Sequence, residues 1–256
     1  MNKTHEQKKI SVVINTYNAE RHLAEVLESV KDFDEVVVCD MESTDATRGI
    51  AEKYGCRIVT FPKGDITIAE PARNFAIQQA TSEWVLVVDA DEVITPELRN
   101  YLYSRIIQMN CPAGFYIHRL NKFMGKYRWD WGHDYQLRFF VREKINWPPY
   151  VHAMPEVEGR LERIPLKYKM LHLADETIQE WVEKMAKYTD NEVKRKHKKN
   201  YGIGALLWRP IWRFFRAYIL QGGILMGKRG LINAYLTASY QIILLAKISE
   251  KELRND

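Results

Sequence analysis

Six acidic side chains fall into two short stretches, Asp40 with Glu42-Ser43-Thr44-Asp45, and Asp89-Ala90-Asp91-Glu92. Each stretch ends a β-branched, apolar run (Glu35 to Asp40 and Trp84 to Val88), and a third such run, Ile10 to Thr16, leads into Tyr17-Asn18. A crevice lined by carboxylates and hydroxyls repels a bare diphosphate. It therefore calls for a divalent cation between the acids and a phosphorylated ligand, and oxygen donors of this kind favour Mg²⁺ or Mn²⁺. In Asp89-x-Asp91, one carboxylate can face the metal while its neighbour reaches sugar or ribose hydroxyls. Ser43, Asp45 and Ala90 line the same strand ends. The first glycine in the chain is Gly49, so neither a GxGxxG fingerprint nor a P-loop follows the first strand. Dinucleotide dehydrogenases and P-loop NTPases are thereby excluded.

The elements that must position these residues alternate. Leu23, Val26, Leu27 and Val30 recur at helical spacing and predict a helix from Ala19 to Val30. Ser43, Thr44 and Asp45 offer caps for a helix through Tyr54, Gly55 stops it, and Arg57 to Phe61 makes the next strand. Pro71 opens a helix to about Ala80. Trp84 to Val88 has the unbroken apolar pattern of a strand buried on both faces of a parallel sheet. Thr95-Pro96-Glu97 starts another helix, with Pro at its first position. Strands then alternate with helices in an α/β fold, whose ligands bind outside the carboxyl ends of the strands. Beyond Asn110, shorter strand-like pieces (Gly114 to Leu120, Tyr135 to Val141, Leu166 to Leu173) read as irregular decoration. From Glu176 the pattern is helical: to about Lys199, then Leu206 to Leu220, and, after a glycine-rich break, Leu231 to Ile248. The expected division is a catalytic domain over 1–174 and a basic helical region over 175–256.

Taken together, ISVVINTYNAE, VVVCDMESTDAT, PARNFAIQQATSEWVLVVDADE and DYQLRFF resemble the family 2 glycosyltransferases. VHAMPE, KMLH and GKRGLINAYLTASY are similar to the lipopolysaccharide core β-1,4-glucosyltransferase-like branch, over roughly Ile10 to Ile248. The resemblance implies a GT-A (Rossmann-like), mostly parallel sheet flanked by helices, with a helical C-terminal appendage. It implies an inverting transferase that moves a sugar from a nucleotide-diphosphate donor, commonly UDP-linked, to a glycan or glycolipid acceptor such as lipopolysaccharide core. Thr16, Tyr17 and Asn18 would lie at the nucleotide, Asp40 on the base and Arg73 close to the phosphates. Asp89 and Asp91 would hold ribose, sugar and metal, and His172 would be the late histidine that many GT-A enzymes bring to the metal or diphosphate. Outside that resemblance, a histidine ending a strand is simply hydrogen-bonded. Inverting relatives place a carboxylate on the acceptor side, which points to Asp134 as the base; Glu156 is the substitute. Trp129 and Trp131 could stack on an acceptor sugar or be buried as core. Two positions depart from the family pattern. Asp40-Met41-Glu42 replaces a small residue and glycine, which bears on nucleotide choice, and His152-Ala153-Met154-Pro155-Glu156 replaces His-Glu, which leaves the role of Glu156 open.

Composition sets the outer bounds. Of 256 residues, 46% are hydrophobic and 28% charged, enough for a packed core and against extended disorder. The three cysteines, Cys39, Cys56 and Cys111, form no CxxC pair, so a reducing, cytoplasmic setting is expected. Net charge is +5, but Lys184 to Arg229 alone holds 12 basic and 2 acidic residues, a local +10. Within it, Leu206 to Leu220 sets Trp208, Trp212, Phe214 and Phe215 among Arg209, Arg213 and Arg216, the composition of a helix lying in a membrane interface. Lys194, Arg195, Lys196, Lys198 and Lys199 add attraction to anionic lipid. Peripheral attachment to the inner face of the cell membrane is expected, with a solvated basic face as the alternative and no nucleic-acid module in sight. The uncharged run Leu231 to Ala246, at 16 residues, reads as too short to span. Two other functions compete: a haloacid-dehalogenase-like phosphatase using Asp89-x-Asp91-x-Val93, and a non-enzymatic peripheral membrane adaptor.

Overall fold

The computed structural model describes residues 8–64, 70–127, 134–148, 155–175, 177–196 and 201–254, with Arg195 and Lys196 described for their backbone alone. Trp129, Trp131 and His152 lie outside the described residues. The chain forms two compact units, 1–120 with 134–173, and 121–133 with 174–256.

The first unit opens with β1 (Ile10–Thr16), α1 (Glu20–Val30), β2 (Glu35–Asp40), α2 (Thr47–Lys53), β3 (Arg57–Thr60), α3 (Glu70–Gln79) and β4 (Trp84–Asp89). β5 (Glu92–Ile94), α4 (Pro96–Ile106), β6 (Gly114–Phe123), β7 (Lys126–Tyr127), β8 (Tyr135–Val141), β9 (Ile145–Asn146), β10 (Glu156–Val157), β11 (Leu161–Arg163) and β12 (Lys169–His172) follow in chain order, β7 and the end of β6 beyond Leu120 belonging to the second unit. The sheet order is β3-β2-β1-β4-β8-β6-β12-β5, with β7 and β11 each paired to β6. β9 and β10 form a separate antiparallel ribbon. The first four strands in that order are parallel, so Thr16, Asp40 and Asp89 arrive at one edge.

Side chains alternate across the sheet because successive residues of a strand face opposite ways. Val12 and Ile14 of β1 pack with Leu23, Val26, Leu27 and Val30 of α1 and Leu98 and Leu102 of α4. Val13, Val37 and Val87 pack on the other face with Ala72, Ala76 and Ile77 of α3. The α1 stripe is the one the sequence predicts. α4 starts as predicted, with Pro96 in its first turn and Thr95 Oγ1 accepting from Leu98 N at 3.3 Å.

The half beyond Asn110 is not irregular decoration. β8 pairs antiparallel with β4 (Leu86↔Phe139) and with β6 (Phe115↔Phe139), so it continues the same sheet. Aromatic packing explains it: Phe139 stacks on Trp84 at 4.9 Å and on Phe115 at 5.7 Å, filling the α1 side, while Phe140 fills the α3 side.

The second unit is built from α5 (Ile178–Lys196), α6 (Ile203–Phe215) and α7 (Lys228–Leu253), with a π-helical turn Arg216–Leu220 and a 3₁₀ turn Gly223–Met226 joining the last two. Phe214 packs on Tyr235 at 5.0 Å, tying α6 to α7. Lys247 donates to Asp190 at 2.7 Å and Tyr240 to Glu192 at 2.8 Å, tying α7 to α5. Among the described residues, α7 is long and apolar enough to cross a membrane by length and composition, which overturns the expectation that the run is too short. The reason is that a helix of 26 residues carries charges only near its ends and once at Lys247.

Candidate active site

The loop after β1 and the loop after β2 are laced together. Thr16 Oγ1 donates to Asp40 Oδ1 at 3.1 Å, and Ser43 N donates to Asp40 Oδ2 at 3.1 Å, so both oxygens of this buried carboxylate are engaged. Asn18 adopts φ +50, a left-handed conformation that Asn tolerates better than most residues. Its backbone N–H donates to Ser43 Oγ at 2.9 Å and its Oδ1 accepts from Thr44 N at 2.8 Å. Ser43 and Thr44 are thus spent on Asn18 and Asp40, and they do not cap α2. The N-cap position of α2 is Ala46, without a side-chain cap; Asp45 just before it accepts from Thr47 N at 3.0 Å and from Glu20 N, at the start of α1, at 3.2 Å. Tyr17 stays exposed, with Lys63 Nζ 4.6 Å from its ring centroid.

Asp89 is gripped from two sides. Arg73 Nη2 of α3 donates at 2.5 Å, and Arg138 of β8 binds the other oxygen. Arg73 lies 5.1 Å from the Trp147 ring. Burial alone would raise the Asp89 pKa, but the Arg138 and Arg73 guanidiniums hold the carboxyl well below the usual range. Beneath it, Glu92 is fully buried and accepts from Asp89 N at 3.0 Å and from Arg138 Nη2 at 3.2 Å. Here burial prevails and the Glu92 pKa is raised, despite Arg138. Glu92 falls within the acidic stretch after β4, but neither Arg138 nor Arg119 stands out as a site residue in the sequence. The signal was an arginine inside the apolar run Leu137-Arg138-Phe139-Phe140: at 4% exposure it requires a buried acid.

Asp91 and His172 meet although they are distant in sequence. β12 pairs antiparallel with β5, setting His172 opposite Glu92, and His172 Nε2 lies 3.2 Å from Asp91 Oδ2. Burial would lower the His172 pKa; the hydrogen bond and charge of Asp91 outweigh it and raise the value. A carboxylate oxygen and an imidazole nitrogen are a donor pair that would fit Mn²⁺. Asp89, expected as a third ligand, is turned to its arginines. Among the described residues, no group of three or more acid, His or Cys side chains could hold a metal.

Asp134 borders the same cluster. Its Oδ2 accepts from Arg119 Nε at 3.0 Å and its Oδ1 from Gln136 Nε2 at 2.6 Å, while Arg119 Nη1 reaches Glu92 at 3.4 Å. A continuous chain of charge therefore runs Arg73, Asp89, Arg138, Glu92, Arg119, Asp134. Glu156 is exposed on the β9–β10 ribbon, and no hydrogen bond among the described residues joins it to this chain. Ala90 is half-buried and packs against the core below Asp89. Both side-chain polar atoms of Asn15, beside Asp89 in register, are buried with no hydrogen-bond partner among the described residues.

The sequence profile described as Glycosyl transferase family 2 matches residues 11–159. An uncharacterized glycosyltransferase of Rickettsia conorii is 27% identical over 266 residues, covering 96% of this chain and 92% of its own. The poly(ribitol-phosphate) β-N-acetylglucosaminyltransferase TarS of Staphylococcus aureus is 40% identical over 98 residues, 35% of this chain and 17% of its own. Among solved structures, residues 1–349 of TarS with UDP superpose with TM-score 0.51 at 18% identity, covering 97% of this chain and 92% of that one. The mannosyltransferase PcManGT of Pyrobaculum calidifontis, solved with GDP-Man and Mn²⁺, gives 0.57 at 15% identity, covering 95% and 88%. These likenesses establish the GT-A fold. The phosphatase and adaptor readings are not favoured.

Proposed function

Because the chain belongs to glycosyl transferase family 2, we infer that it transfers a hexosyl group with inversion from a UDP-linked donor to a glycan or glycolipid acceptor, such as lipopolysaccharide core. The observation that carries the reading is the pairing of Asp91 with His172 next to an arginine-held Asp89, all at the strand-end edge. The acceptor assignment draws on the sequence resemblance of VHAMPE, KMLH and GKRGLINAYLTASY alone. UDP bound by TarS and GDP-Man with Mn²⁺ bound by PcManGT support a nucleotide-sugar donor and a divalent ion.

Each residue then has a task. Tyr17 offers an exposed ring to the nucleobase, and Arg73 offers positive charge to the diphosphate. Asn15 supplies an amide with unused hydrogen-bonding capacity beside Asp89. Asp91 and His172 would hold a divalent cation, which neutralises charge on the departing diphosphate. The acceptor hydroxyl oxygen attacks the anomeric carbon as the carbon–oxygen bond to the diphosphate breaks, and Asp134 takes the hydroxyl proton. Attack opposite the leaving group inverts the anomeric centre.

A thermal-shift panel of nucleotide sugars with Mn²⁺ tests this. A UDP-hexose should stabilise the protein by several degrees through preferential binding to the folded state, and excess EDTA should abolish the shift. A panel with no binder overturns the reading.

A further inference from the structure

The second unit exposes an apolar face that a water-facing surface does not need. On α6, Ile203, Leu207, Trp208, Ile211, Trp212 and Phe215 are all exposed, with Ile203 at 78% and Trp208 at 63%. At about 100° per residue these positions occupy one contiguous half of the helix, whereas Pro210 and Ala217 turn inward. The face continues past the helix end through Ile219, and the 3₁₀ turn adds Ile224 and Leu225, the latter 70% exposed. Exposed apolar patches of this extent mark interaction sites.

The border of the patch identifies its partner. Arg209, Arg213 and Arg216 follow one another along the edge of the α6 face, and Lys228 is exposed just beyond the turn. A second copy meeting this face across a two-fold axis would bring like-charged borders together. An anionic bilayer offers the opposite charge at the headgroups and a place for apolar side chains just below, and tryptophan favours that boundary. We propose that α6 and the Gly223–Met226 turn lie in the plane of an anionic lipid bilayer, with the Trp208 and Trp212 face inserted and the arginines at the headgroups.

The test uses the full chain and two vesicle preparations, one of phosphatidylethanolamine with phosphatidylglycerol, one of phosphatidylcholine. Flotation should recover the protein with the first, weakly with the second, and high salt should release only part of it. The variant Ile211→Asp with Trp212→Ser should lose flotation and keep the UDP-sugar thermal shift of the parent. Changing Arg213, Arg216 and Lys228 to Gln should weaken partition to anionic vesicles by about 10²-fold, since each basic residue near such a surface contributes separately. No flotation at low salt, or undiminished flotation of the apolar-face variant, overturns the proposal. So does a parent dimer that this variant converts to monomer without any vesicle binding, which assigns the face to a second copy. Retention of both parent and variant in membranes at pH 11 overturns it in favour of α7 as a spanning helix.

Discussion

Arg119 Nε donates to Asp134 Oδ2 at 3.0 Å, so the carboxylate proposed as the base is held by a guanidinium that also touches Glu92. Both oxygens of that carboxylate are oriented, Oδ2 by Arg119 and Oδ1 by Gln136 Nε2.

If Asp134 is the base, Asp134→Asn keeps donor affinity while transfer falls by at least about 10²-fold, the lower end of what general-base catalysis contributes. Glu156→Gln, on its separate exposed ribbon, should transfer at near the parent rate. Single-turnover rates beside donor titration check both; the reverse pattern moves the role to Glu156.

Arg138 sits between two buried acids. Arg138→Met leaves Asp89 and Glu92 short of a counter-charge, a change that costs roughly 3–5 kcal/mol in buried pairs. Arg138→Lys should rescue little, because an ammonium cannot reproduce the fork that reaches both carboxylates. Urea unfolding of the two variants against the parent measures it.

Glu35 ties β2 to its neighbours, accepting from Ser11 Oγ at 2.5 Å, Thr81 N at 2.8 Å and Arg57 Nε at 3.2 Å. Burial pushes its pKa up, but these donors prevail and hold it below the ordinary value. A carboxyl depressed in the folded state stabilises above its unfolded pKa of about 4.3 and loses that contribution as pH falls through the folded value. Glu35→Gln should therefore lower stability at pH 7 by roughly 1–2 kcal/mol. The gap to the parent should close as melts are repeated down to pH 3; a gap independent of pH contradicts the assignment.

The turn between α6 and α7 depends on two glycines in contact. A Cβ on Gly230 would lie 1.7 Å from the carbonyl oxygen of Gly223, and one on Gly223 would lie 2.7 Å from that of Ala217. Both obstacles are backbone, so neither can swing aside. Gly230→Ala should cost about 1–3 kcal/mol or more, as overpacking does, and a parent-like melting temperature would show that the turn opens freely.

The parallel half of the fold was legible in the sequence because its cues are local. Helical spacing marked α1, a proline marked the start of α4, and apolar, β-branched runs marked β1, which ends in Thr16, and β2 and β4, which end in acids. The antiparallel half was not, because Phe115, Phe139 and Phe140 declare themselves as core only once β8 lies against β4. Arg138 and Arg119 stayed hidden for the same reason: within their own strands they read as polar positions, and their acids come from β4, β5 and the residue before β8. Ser43 and Thr44 misled in the opposite direction, since a hydroxyl before a helix resembles a cap until Asn18 and Asp40 claim it.

Asp91 and His172 stand 81 positions apart and share an edge through one register, Leu171 opposite Val93 and His172 opposite Glu92. A growing chain acquires its acids long before its imidazole. Slipping β12 by one residue would turn His172 to the opposite face of the sheet, so the pair assembles only when the last strand has zipped home correctly. If Asp91 and His172 hold the cation, closure of the sheet and readiness for the reaction are a single event, and a chain arrested short of Lys169 carries Asp91 without the imidazole that faces it.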